Sequence, residues 1–321
     1  MPEKRRIRPD DPCFCGSGKK FRDCCMPDPQ FVANLLRKQQ ELLQAQEARK
    51  EVFGELKPGV HANWQGYKFV ASGHTIHYQK EAHWKTPADF LRSYLLRTLG
   101  LDWVRAELAK PLGERHLIMK WEDSIRRLLE KQAREPNGLI GVVASGPMSA
   151  FMLLAHDLYA LNHHAALKEQ VVRRLKVGTQ FYGARHELFA AAVCIRAGFD
   201  IEHEDESDKE RKHTEFIAVH ERTGQRIQVE AKHREPTQTG RGQADAEDLI
   251  AFKMNRLLRN ALKKPLLHPY VLFVELSIPP VAHIPHESPW FRKFLGTMKR
   301  LRDANDGRSP FNLVVLTNFA D

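Results

Sequence analysis

Four of the five cysteines in this chain fall within thirteen residues, as Cys13-Phe-Cys15-Gly-Ser-Gly-Lys-Lys-Phe-Arg-Asp-Cys24-Cys25, and Cys194 stands apart. Two close pairs joined through a Gly-Ser-Gly turn can wrap four thiolates around a tetrahedral ion. Zn²⁺ suits such a closed all-sulfur site, at about 2.3 Å per bond. Gly16 and Gly18 permit the positive φ that so tight a reversal demands. Lys19, Lys20 and Arg22 would offset the charge of four thiolates on a divalent cation. Four protein ligands close the coordination sphere, so the implied role is structural or adhesive, not catalytic.

This run resembles the SEC-C motif, whose pattern is Cys-x-Cys-Gly-Ser-Gly-Lys-Lys followed by a Cys-Cys or Cys-His pair. The resemblance implies a small zinc-bound module over residues 1–28, with Cys13, Cys15, Cys24 and Cys25 as ligands, acting as an interaction patch for a partner protein. Such modules are attached to many unrelated proteins, so the motif says little about the remaining residues.

A length of 321 residues, at roughly 150 per domain, suggests about two domains beside that appendage. With 42% hydrophobic and 28% charged residues, a wholly disordered chain, a collagen-like chain and a disulfide scaffold are excluded. Fifty Lys and Arg against forty Asp and Glu give +10, which keeps polyanions in play as partners. The longest uncharged run, Pro136 to Ala155, is broken by Ser145-Gly146-Pro147 and falls short of the ~20 apolar residues of a spanning helix. The first residues are charged and lead into Cys and Asp instead of an apolar stretch, so no secretory signal is visible. The expected compartment is the cytoplasm, where clustered cysteines serve more often as metal ligands than as disulfides.

Residues 29–175 read as a mainly helical region with a short hairpin. Phe31 to Leu56 carries a broken apolar stripe of Phe31, Leu35, Leu36, Leu42 and Leu43 and predicts a long helix. Trp64 to Gln79 predicts a hairpin. Thr86-Pro87-Ala-Asp89 has the residues of a helix start, with Thr as N-cap and Pro at the first helical position. Further helices are expected through Leu129, and another from Pro147 to about Leu161. The histidines here, including His74, His77, His83, His163 and His164, read as scattered polar residues. No chemistry is announced in this region.

Residues 176–321 differ. Arg185 to Ala197 predicts a helix with Leu188, Ala191, Ala192 and Ile195 on one apolar face and Gly198 as its C-cap. Glu187 stands about 100° round from Leu188, at the margin of that face. Thr214 to His220 and Arg226 to His233 predict a strand pair. In the second strand Ile227, Val229 and Ala231 point one way, while Gln228, Glu230 and Lys232 point the other. Such a Gln-x-Glu-x-Lys face is by itself an ordinary exposed strand surface. A helix from about Glu247 to Lys263, a strand Tyr270 to Ser277, a helix Pro289 to Asn305 and a strand Phe311 to Thr317 complete the expectation. The charge run Glu202 to Lys212 reads as a solvated turn, and Cys194 as a small buried hydrophobe.

The order of helix, strand, hairpin strand ending in Glu-Ala-Lys, helix and strand, from about Gln180 to Ser277, resembles the core of the PD-(D/E)XK nucleases. The resemblance implies an α/β fold with a restriction-endonuclease-like mixed sheet flanked by helices. Glu215 stands where the family has its second-strand acid, as Glu in place of the usual Asp and without a preceding Pro. Glu230 and Lys232 take the places of the third-strand acid and lysine, and Glu187 that of a first-helix glutamate. The implied activity is cleavage of nucleic-acid phosphodiester bonds, DNA before RNA, with Mg²⁺ or Mn²⁺ held by Glu215 and Glu230 and catalysis shared by Glu187, Glu215, Glu230 and Lys232. Basic residues on the Glu247 to Lys263 helix, with Lys168, Arg173, Arg174 and Lys176, would neutralise backbone phosphates. Many members of the family only bind, so a non-catalytic adaptor for nucleic acid or protein is the alternative.

Overall fold

The structure is a computed structural model, and it describes residues 9–11, 13, 17–24, 30, 34, 37–41, 43–44, 61–72, 75–132, 135, 138–202, 214–233, 256–262, 267–277 and 288–319. The chain divides into two compact units, Met1–Leu56 and Lys57–Asp321. The first contains a tight reversal. The Cys13 N–H donates to the Lys19 carbonyl at 2.8 Å, Phe21 to Asp11 at 2.8 Å and Arg22 to Pro9 at 2.9 Å. Gly18 takes φ +72°, the left-handed conformation expected of it. A short 3₁₀ turn, Phe21–Asp23, leads to Cys24. In the expected helix over Phe31 to Leu56, the described residues 34, 37–41, 43 and 44 are helical; the others lie outside the described residues.

The second unit begins with a three-stranded antiparallel sheet, β1 (His61–Trp64), β2 (Tyr67–Ser72) and β3 (Thr75–Lys80). The expected hairpin is its β2–β3 half, with β1 added along the β2 edge. Six helices follow: α1 (Pro87–Leu99), α2 (Leu101–Leu108), α3 (Leu117–Glu130), α4 (Gly146–Ala160), α5 (Ala165–Leu175) and α6 (Phe181–Arg196). The first of them starts as its sequence demands. Thr86 accepts from the Asp89 N–H while the Asp89 carboxylate accepts from the Thr86 N–H, a reciprocal capping box ahead of Pro87. Thr86→Ala is expected to lower stability by about 1 kcal/mol, read from a urea midpoint; an unchanged midpoint would show that the cap contributes nothing.

The rest of the unit is a five-stranded mixed sheet in the order β4 (Phe199–Glu202), β5 (Phe216–His220), β6 (Arg226–Lys232), β7 (Tyr270–Glu275), β8 (Leu313–Thr317). The β4–β5 and β5–β6 pairs are antiparallel, and β6–β7 and β7–β8 parallel. Helix α7 (Pro289–Asp303) supplies the crossover into β8. The described residues 256–261 are helical, within the Glu247 to Lys263 helix expected from the sequence. Both faces of the sheet are covered. One face packs Val229, Ala231, Val271 and Phe273 against Ala184, Leu188, Ala191 and Ala192 of α6 and onward to Phe151, Leu154 and Tyr94. The other packs Tyr270, Leu272 and Val274 against Leu258, Ala261, Trp290 and Phe294. The helical region and the sheet thus share one core.

Candidate functional site

Strand register builds the site. Phe216 pairs with Val229 and the Glu215 N–H donates to the Val229 carbonyl at 3.1 Å. Glu215 therefore stands one residue before β5 and beside Glu230. Side chains alternate along a strand, so Gln228, Glu230 and Lys232, in register with Tyr270, Leu272 and Val274, share the face covered by the 256–262 helix and α7. The Lys232 ammonium is in direct contact with the Glu230 carboxylate and lies 4.0 Å from Glu215 Oε1. The Glu230 side chain is 0% exposed, while Lys232 and Glu215 keep 24% and 28%. The result is a buried carboxylate with a lysine and a second carboxylate at its mouth. Burial, followed by the charges of Glu230 and Glu215, holds the Tyr270 phenol well above its ordinary range. The adjoining Gln228 is buried and accepts from the N–H groups of Leu267 and His268 at 2.6 and 2.9 Å.

Three of the four expected site residues are thus brought together, and the Gln-x-Glu-x-Lys face is not the exposed surface that its polarity suggests. Glu187 is not among these three. It lies on α6, which packs against the opposite face of the sheet, and both its carboxylate oxygens are held by the Arg174 guanidinium of α5. Arg174 is accordingly committed to Glu187, and Lys168 places its ammonium 4.9 Å from the Tyr94 ring centroid, so neither is an open phosphate contact. Arg173, Arg256 and Arg259 are exposed. Lys253 and Lys263 lie outside the described residues. Cys194 is buried and its thiol is pushed up to about 12 by that burial, as expected of a small core residue.

The α6 face of the sheet has its own polar cluster, which the sequence did not single out. His186 is buried with its Nε2 3.3 Å from Thr317 Oγ1. The Thr317 hydroxyl donates to the buried Glu275 carboxylate at 2.5 Å, which also accepts from the N–H groups of Ser277 and Phe319. Arg185 is buried between the rings of Trp121 and Phe319, at 4.9 and 4.6 Å from their centroids, a cation–π arrangement. His233, the residue after Lys232, sits over Gly183, where a Cβ would come within 2.9 Å of its ring. His186 stands about 160° round the helix from Leu188, off the apolar face that the sequence marks, so no periodic signal pointed to it.

Comparison with known proteins gives one match, the SEC-C motif, over residues 11–27. No curated protein matches the chain, and no solved structure matches it. The motif is zinc-associated, and the thiol donors suit that ion. Cys13 is buried and Cys24 exposed, with Cys24 Sγ 3.1 Å from Ser17 Oγ. Cys15 and Cys25 lie outside the described residues. Lys20 and Arg22, expected to balance the thiolates, pair with Asp10 at 3.3 and 2.7 Å. Among the described residues no group of three His, Cys, Asp or Glu is placed to hold a metal ion, and no helix is long and apolar enough to cross a membrane.

Proposed function

We propose that the chain is a metal-dependent nuclease, hydrolysing phosphodiester bonds of nucleic acid with DNA as the favoured substrate, and that its zinc module, Cys13, Cys15, Cys24 and Cys25, contacts a partner protein. The observation that carries the reading is the convergence of Glu215, Glu230 and Lys232 on one face of a mixed sheet, within the element order helix, strands, helix, strand. Glu215 and Glu230 would hold Mg²⁺ or Mn²⁺, since Mg²⁺ is commonly bound by one or two carboxylates and keeps its other positions for water and phosphate oxygen. The bound ion would polarise the phosphate and lower the pKa of a coordinated water. Lys232, partly exposed, presents a positive charge where negative charge develops on the phosphate. Buried Glu230 gives that amine a fixed position.

Glu215→Gln and Glu230→Gln keep side-chain shape while removing charge. Each is expected to reduce Mg²⁺-dependent cleavage of DNA at least a hundredfold, the scale lost with one charge-stabilising group, while circular dichroism stays native. Equal cleavage by wild type and both variants would assign the activity to a contaminant. The placement of Glu187 across the sheet, and a lysine already in contact with the buried carboxylate, favour a second reading: a non-catalytic adaptor that binds nucleic acid or protein. Calorimetry with Mn²⁺ separates the two, since the adaptor shows no binding that depends on Glu215 and Glu230.

A further inference from the structure

The outer face of the three-stranded sheet carries aromatic side chains that no part of the foregoing site uses. Register puts Trp64 opposite Tyr67, Phe69 opposite Tyr78, Ala71 opposite Ile76 and Tyr67 opposite Lys80, so all of these side chains share one face. Trp64 is 64% exposed and Tyr78 56%. Tyr67, Phe69 and Tyr78 form a continuous patch with ring centroids 6.1–6.5 Å apart. The opposite face is occupied within the unit: Lys68 donates to the Trp84 carbonyl at 2.7 Å, Ser72 to Asn162 at 2.6 Å, and His77 lies against Tyr94. The aromatic rings therefore face away from their own core.

We propose that this face binds single-stranded nucleic acid by stacking unpaired bases on Trp64, Tyr67 and Tyr78. Three features favour that occupant. Flat rings in a row accept any base through its π-face. Lys80 is exposed on the same face beside Tyr67, in a chain of net charge +10. The tyrosine hydroxyls keep the rims of the platform wet beside a stacked base, and Ile76, 66% exposed on the same face, extends its apolar surface. The inference is independent of cleavage: a binder that never cuts would use the face in the same way.

The test is fluorescence anisotropy on the full-length protein, without added Mg²⁺, using labelled oligothymidylate and oligouridylate of about 15 nucleotides and a duplex of equal length. Both single strands are expected to bind more tightly than the duplex and to quench Trp64 emission. Trp64→Ala and Tyr78→Ala should each weaken binding about tenfold, the scale of one lost base stack. Trp64→Phe should keep most of the affinity. Both side chains are exposed, so an unaltered melting temperature accompanies the loss. Affinity insensitive to both alanine variants, or duplex bound as tightly as single strands, overturns the proposal. So does self-association of the protein abolished by Trp64→Ala with oligonucleotide binding intact, which would make a second copy the occupant.

Discussion

Replacing Lys232 with alanine is expected to destabilise the folded chain by about 3–5 kcal/mol, the cost of leaving a buried charge without its counter-charge. The reason is the asymmetry of the pair. Glu230 has no exposed surface, whereas Lys232 retains 24% exposure and has Glu215 4.0 Å away. Removing the lysine takes the ion-pair partner from a carboxylate that has no exposed surface. Removing the carboxylate charge instead, by Glu230→Gln, leaves an amine that can reach water and Glu215, so the loss should be about 1.5–3 kcal/mol, the scale of one hydrogen bond to a charged group. The double variant Glu230→Gln, Lys232→Met should recover most of the stability lost in Lys232→Ala. Urea denaturation of the three variants decides the matter. Equal losses for Lys232→Ala and Glu230→Gln would mean that the pair is not buried as described. This asymmetry is also why Lys232→Ala alone is a poor probe of catalysis.

The second large effect is acid lability centred on His186. Burial first, then the neighbouring His233 and Arg185, lowers its folded pKa from 6.5 to about 3. The unfolded chain therefore takes up the proton more readily. The stabilising contribution is complete above pH 6.5 and is lost progressively as pH falls toward 3. At roughly 1.4 kcal/mol per pH unit for one proton, descent across three units costs about 4 kcal/mol. His77, His116 and His156 are lowered in the same sense, each chiefly by burial. Asp157 opposes them. Burial raises it to about 6 against the pull of Arg196, so its contribution is present below pH 3.8 and lost as pH rises through 6. One opposing carboxyl against four histidines leaves a net loss on acidification. His186→Gln should flatten the stability curve between pH 6.5 and 4, measured by denaturant titration across that range. Parallel curves for wild type and variant would refute the assignment.

The elements legible in the sequence were those whose local signals agree with their surroundings. Thr86 and Asp89 announce α1 because the capping box is made by neighbours in sequence. The alternation Ile227, Val229, Ala231 announces β6 because that face meets α6. Strand β4 was not legible. It is four residues long and runs into the charge-rich stretch after Glu202, so its pairing with β5, not its composition, makes it a strand. Strand β1 escaped for a related reason: all four of its residues are exposed, and no hydrophobic pattern marks it. The site divides along the same line. Glu215, Glu230 and Lys232 were readable because hairpin register joins them within eighteen residues. The side of the sheet on which Glu187 lies was not readable, because helical periodicity puts a residue at the margin of a face without saying which side of a sheet that helix covers. The burial of Gln228 and Glu230 was hidden because it comes from helices later in the chain.

The clasp of Arg185 between Trp121 and Phe319 sets an order on biosynthesis. One ring of that clasp is synthesised well before the guanidinium, and the other more than a hundred residues after it. The β8 strand, with Thr317 on Glu275, arrives equally late. Until position 319 has emerged from the ribosome, the Arg185 guanidinium lacks one of its two rings and β7 lacks its parallel neighbour β8, the kind of incomplete species that chaperones bind. Closure of this unit thus waits on the synthesis of residues 313–319.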